Sequence, residues 1–152
     1  MTEPLPVLIL VGTQTGNAEI LADVVAEALE TAGTPAYVLD MSEAYPELLN
    51  DYHHLVISTS TWGDGELPDN AIDFFEAIQE QQPDLSHLRF GIVALGDHLY
   101  DPYFCVAGQL FDELLSGLGA TRIAETVEID EGPTQDDEDL VRSWTETLVF
   151  QG

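Results

Sequence analysis

Apolar runs of strand length alternate along this chain with segments whose apolar residues recur every three to four positions. Residues 5–11 form a nearly unbroken apolar run with several β-branched side chains, the pattern of a strand covered on both faces. Across 18–32, Ile20, Leu21, Val24, Val25, Ala28 and Leu29 fall at helical spacing, and Gly33 supplies a stop. A short strand follows at 36–39, then a weak helix or turn over 42–49 marked by Pro46, then a strand at 54–60. The spacing predicts a helix over 69–81 with Ile72, Phe75 and Ile78 on one face, its N-terminus prepared by Pro68, Asp69 and Asn70. A strand at 90–95 leads to a helix over 105–118, with Val106, Leu110, Leu114 and Leu115 inward and Gly119 at its end. Residues 121–129 alternate like one strand, and 135–150 read as the last helix.

Strand then helix, five times over, argues a parallel sheet covered on both faces. Of the doubly wound α/β arrangements, five parallel strands suit the order 2-1-3-4-5, with helices on both faces and one domain spanning 1–152. Ligands in such sheets lie beyond the C-terminal ends of strands one, three and four. Three unusual loops fall at those ends. The first, Thr13-Gln14-Thr15-Gly16-Asn17, opens the first helix and offers hydroxyls, backbone N–H groups and a helix N-terminus, which suits a phosphate monoester. The second runs Ser58-Thr59-Ser60-Thr61-Trp62-Gly63-Asp64-Gly65 and the third Leu95-Gly96-Asp97-His98-Leu99-Tyr100; each carries an aromatic. One phosphate loop beside two aromatic-bearing loops is the layout of a flavin mononucleotide (FMN) site.

Composition narrows the chemistry. The 152 residues hold 29 acids against three cations (Arg89, Arg122 and Arg142) and no lysine, a formal charge of −26. Such a surface repels nucleic acid and anionic membranes and favours cationic protein partners. Most of that charge reads as a solubility or salt-adaptation bias. A lysine-bearing phosphate loop is excluded, and so is a receiver-type phosphoacceptor site, which would want a lysine on the last strand. His53, His54 and His87 have no ligand spacing with Cys105, so no metal site is expected. A single cysteine, an N-terminus without a basic stretch and strand-length apolar runs predict a soluble cytoplasmic protein, expected as a monomer. The acidic run from Asp130 to Asp139 reads as a solvated loop and helix start, and 149–152 are compatible with a remnant of protease cleavage.

Three stretches, Gly12 through Glu19, Ser58 through Asn70 and Ala94 through Gly108, together resemble the flavodoxin-like FMN-binding family. The likeness extends to its short members of the MioC type and to the FMN domains of diflavin reductases such as the sulfite reductase flavoprotein. It implies that Thr13, Gln14, Thr15, Gly16, Asn17 and Ala18 hold the FMN phosphate, with Ala18 standing where the family often has Ser or Thr. It places Trp62 and Tyr100 against the two faces of the isoalloxazine ring, with Ser60, Thr61, Asp64, Gly65, Leu95, Gly96, Asp97, Tyr103, Phe104 and Cys105 around it. Gly63 stands where a peptide can flip toward the flavin once the semiquinone forms. Tyr103 and Phe104 rival Tyr100 for the stacking place and are preferred as packing residues, as is Cys105.

The implied function is a carrier without its own catalysis. It takes single electrons from an NAD(P)H-dependent flavoprotein reductase to an acceptor enzyme through the semiquinone and hydroquinone. Each carboxylate near the ring disfavours the anionic hydroquinone by on the order of 1 kcal/mol, so the second couple is expected at low potential. Docking would use Asp64, Glu66, Asp69, Asp97 and Asp101. Two alternatives stay open at this point: an FMN-dependent quinone or nitro reductase, and an interaction module that does not use flavin.

Overall fold

The structure is a computed structural model that describes residues 5–13, 16–61, 65–100 and 104–148, with only the backbone of Tyr100. The elements run β1 (Val7–Gly12), α1 (Asn17–Thr31), β2 (Ala36–Asp40), β3 (His54–Ser60), α2 (Asp69–Gln81), β4 (Arg89–Gly96), α3 (Val106–Gly117), β5 (Thr121–Arg122), β6 (Val127–Asp130) and α4 (Gln135–Thr147). All pairings are parallel, in the order β2-β1-β3-β4-β5, with β6 also on β4.

Alternation along the strands sorts the core into two layers. Leu8, Leu10, Leu55, Ile57, Phe90 and Ile92 face one way and pack with Phe74, Phe75 and Ile78 of α2 and Phe111 and Leu115 of α3. Val7, Ile9, Val11, Val56, Val93 and Leu95 face the other way, against Leu21, Val25 and Leu29 of α1 and Val141 of α4. Every residue of β1 is buried, as an apolar run covered on both sides requires. No helix among the described residues is long and apolar enough to cross a membrane.

The structure departs from the sequence pattern in three places. The strand expected over 121–129 is two strands. Thr121 pairs with Arg89 and Arg122 with Phe90, whereas Val127 pairs with Val93, so two extra residues loop out between them. That gap lies where Gly91 leaves room for the Trp144 ring: a Cβ on Gly91 would sit 2.9 Å from it, and the indole N–H donates to the Glu125 carbonyl at 3.0 Å. The weak helix over 42–49 is two 3-10 turns, Met41–Glu43 and Pro46–Asp51, separated by extended backbone at Ala44 and Tyr45. The helix faces also shift: Ile20 of α1 is exposed, and α3 buries Ala107, Gly108, Phe111 and Leu115 while Leu110 and Leu114 are half-buried.

Candidate functional site

Register makes the site. Gly12 pairs with Thr59, Thr59 with Ala94 and Ser60 with Leu95, so β1, β3 and β4 end level and release their loops at one edge of the sheet. β1 is flanked by β2 and β3, and α1 and α2 leave toward opposite faces. The chain therefore reverses its winding there, which opens a crevice at the carboxyl ends.

Within the first loop, Thr13, Gly16, Asn17 and Ala18 are described, while Gln14 and Thr15 lie outside the described residues. The Thr13 hydroxyl accepts from the Gly16 amide at 3.0 Å. Gly16 has φ +89°, a left-handed conformation that glycine adopts without a steric penalty, and a Cβ there would meet nothing within 4 Å. This residue is the N-cap of α1, and no side chain among the described residues caps the helix. The amides of a helix's first turn have no partners within the helix and carry the positive end of its dipole. Ala18 is buried, and its carbonyl accepts the buried Ser58 hydroxyl at 2.7 Å, which fixes the start of α1 on β3. Arg89 begins β4, at the opposite edge of the sheet, so neutral donors form the described part of this mouth.

Thr61 joins the other two loops. Its amide donates to the Leu95 carbonyl at 2.9 Å, and its hydroxyl accepts from Ala107, in the first turn of α3, at 3.0 Å. Trp62, Gly63 and Asp64 lie outside the described residues, and Gly65 has φ +93°. Gly96 has no room for a side chain, since a Cβ would fall 2.7 Å from the Cys105 amide nitrogen. Past it, Asp97 accepts from the Leu99 amide at 2.9 Å. One oxygen of Asp130, at the end of β6, takes both the His98 amide and its Nδ1 at 3.0 Å. The carboxylate's hydrogen bond and charge raise the His98 pKa above its ordinary value, and the His98 amide and ring hold Asp130 below its own.

The Tyr100 side chain, Asp101 and Tyr103 are outside the described residues, and Phe104 is half-buried against the core. Cys105 is buried and points its thiol at the Ala94 carbonyl, 3.4 Å away. Burial, with Glu128 adding to it, pushes that thiol up to about 12, so the side chain is an inert group that packs beside Gly96. Ligand atoms of Asp97, His98 and Asp130 lie within 4.8 Å of one another, a spacing that a cation could use, but His98 Nδ1 is already engaged by Asp130.

Two residues that sequence reasoning did not assign to the site belong to its frame. Asp130 was grouped with a solvated acidic run, and only the pairing of Gly96 with Asp130 brings it beside the third loop. Asn70 was read as preparing the N-terminus of α2, yet the N-cap is Pro68 and has no side-chain cap. The Asn70 side chain instead accepts from the Thr13 amide at 2.9 Å. It was legible only as a polar residue at a helix start, because its partners lie on other elements.

A doubly wound α/β sheet with an anion-ready helix mouth at its winding reversal defines a phosphate-bearing ligand class. The family model described as flavodoxin matches residues 9–144, and the chain belongs to the flavodoxin family. Among curated relatives, the sulfite reductase [NADPH] flavoprotein alpha-component of Bacillus subtilis (strain 168) is 42% identical over 125 residues, 82% of this chain and 20% of that protein. The chain thus spans about a fifth of the length of the curated relatives it matches. Among solved structures, a flavodoxin of Streptococcus pneumoniae TIGR4 is similar with a TM-score of 0.84 at 30% identity, covering 93% of this chain and 95% of that one. A cysteine-to-serine variant of flavodoxin from Pseudomonas aeruginosa gives 0.83 at 31% identity with the same coverages. The cofactor is FMN. The described residues fit it, with an uncapped helix N-terminus and a glycine open to space for the phosphate.

Proposed function

We propose that this chain carries single electrons on non-covalently held FMN, from an NAD(P)H-dependent flavoprotein reductase to an acceptor enzyme. The observation that carries the reading is the level ending of β1, β3 and β4, which gathers three loops at one crevice. FMN, when bound, supplies one-electron chemistry. The chain's own task is to hold and tune it. Thr13, Gln14, Thr15, Gly16, Asn17 and Ala18 would cradle the phosphate by hydroxyls and amides. Trp62 and Tyr100 would cover the ring faces, and the peptide at Gly63 would adjust to the ring's protonation. Ser60, Thr61, Asp64, Gly65, Leu95, Gly96 and Asp97, with Tyr103, Phe104 and Cys105 behind them, would shape the ring's surroundings. Glu66 and Asp69 are exposed beyond β3, which suits an acidic docking rim for a cationic partner.

The flavoprotein relatives are named for NADPH and sulfite reductase, which supports a nicotinamide-linked donor and makes a sulfite-reducing enzyme one candidate acceptor. Two apolar layers on one sheet draw on elements from β1 to α4, which supports one domain working as a unit. A buried cysteine thiol is in keeping with a reducing, cytoplasmic setting.

The test is a dithionite titration of the FMN-loaded protein followed by visible absorbance. Two resolved one-electron steps are expected. A single two-electron step would favour a quinone or nitro reductase instead, and failure to bind added FMN would overturn the reading.

A further inference from the structure

We infer that Asn70 positions the phosphate loop by linking it to the end of β2, an inference that rests on the FMN reading above. The Asn70 side chain uses its acceptor and its amide donors on three partners, two at the end of β1 and one at the end of β2. Its Oδ1 accepts from the Thr13 amide at 2.9 Å; its Nδ2 donates to the Val11 carbonyl at 3.3 Å and to Asp40 Oδ1 at 2.9 Å. Asp40 is the last residue of β2 and is itself held by the Ser42 amide at 2.8 Å. Thr13 in turn accepts from Gly16 at 3.0 Å, so the chain of contacts runs from β2 through α2 to the mouth of α1.

Only a carboxamide serves here. The site demands an acceptor toward Thr13 and donors toward a carbonyl and a carboxylate. A carboxylate at position 70 would still accept from Thr13, but would turn lone pairs toward Val11 and Asp40. An aliphatic residue would make none of the three bonds. Burial acts to raise the Asp40 pKa, but the hydrogen bonds from Ser42 and Asn70 outweigh it and hold the carboxyl below its ordinary value, so the acceptor is ionised at neutral pH. Among the described residues predicted to contact FMN, the hydrogen bonds of the Asn70 side chain reach Thr13 alone; it acts through the loop and is a positioning residue.

The experiment compares wild type, Asn70→Asp, Asp40→Asn and the double variant that exchanges the two side chains. FMN affinity is read by quenching of flavin fluorescence, and apoprotein stability by thermal unfolding. Asn70→Asp is expected to weaken FMN by about tenfold, the worth of roughly one net hydrogen bond. The exchange variant is expected to recover much of that loss, since a donor then again faces an acceptor between the two positions. A lowered Tm with unchanged FMN affinity overturns the inference and leaves Asn70 a purely structural staple. Loss of affinity that the exchange does not recover also overturns it, because the link to β2 is then not the cause. Should wild type fail to take FMN, the proposed function fails by itself. Hydrogen exchange of the Thr13 amide in the apoprotein then decides the inference: protection in wild type that Asn70→Ala abolishes supports it, and equal exchange in the two proteins overturns it.

Discussion

His98 and Asp130 meet across the third loop with their side chains 58% and 43% exposed, so the ion pair is solvent-screened and its main effect is on titration and loop position. Asp130 faces the ring directly, and Glu131 and Asp97 add negative potential, all favouring the imidazolium. The raised His98 pKa makes the pair's contribution complete below the ordinary value of 6.5 and lost as pH climbs through the folded value. The lowered Asp130 pKa works at the other end: its contribution is present above 3.8 and lost as pH falls through the folded value. The third loop is therefore held most firmly in the window between those limits. An NMR titration of the His98 ring should give a midpoint above 6.5, and Asp130→Asn should bring it down. An unchanged midpoint in the variant would show that the general acidity of the chain, and not this carboxylate, sets the shift.

The elements meet closely where α3 crosses β4. A Cβ on Gly108 would fall 2.6 Å from the Ala94 Cβ and 3.3 Å from Ile92, and neither neighbour can withdraw without moving the central sheet. Gly108→Ala gains about 1 kcal/mol of helix propensity and loses about 1–3 kcal/mol to overpacking, so a net loss in the urea midpoint is expected. Gly117, on the same helix with nothing within 4 Å of its Cβ position, is the control: alanine there should be neutral or stabilising. A gain at both positions would mean that α3 is free to shift on the sheet. The strands and helices that build this contact were legible in the sequence because a strand buried on both faces is continuously apolar and an outer helix repeats every three to four residues. β1, β3, α2 and β4 follow that rule closely, and the ends of β1, β3 and β4 lie level as a parallel sheet of that order allows. The break between β5 and β6 was not legible. Thr121 through Ile129 alternate well enough for one strand, and the offset exists only relative to β4, where Trp144 crosses Gly91. Asn70 was hidden for a related reason: a helix-start asparagine usually caps its own helix, and its bonds here reach 57 and 59 residues back along the chain.

On the scale of the whole molecule, a formal charge of −26 sets two effects of salt against each other. Of the three arginines, Arg122 pairs with Asp112 and Arg142 with Asp139, both partly exposed, and such pairs contribute about 0–1 kcal/mol each. They cannot offset the mutual repulsion of 29 acids, so the folded chain stores unfavourable charge that the expanded unfolded chain relieves. Raising ionic strength from about 0.01 M to about 1 M shortens the screening length from roughly 30 Å to roughly 3 Å, and that repulsion fades. Thermal unfolding of the FMN-loaded protein should therefore shift upward by several degrees, at about 2–4 °C per kcal/mol for a chain of this size. Electron transfer to a cationic redox protein should slow over the same range, because the field that steers the partner toward the acidic rim is screened with it. If the acidic rim docks the partner, stability and docking are expected to respond to salt in opposite directions from one cause. Measuring both on one preparation separates that cause from its rivals. A rising Tm with a salt-independent rate would confine the acidity to a solubility or habitat role and remove the docking rim. A flat Tm with a falling rate would mean that the charge acts mainly where a partner binds.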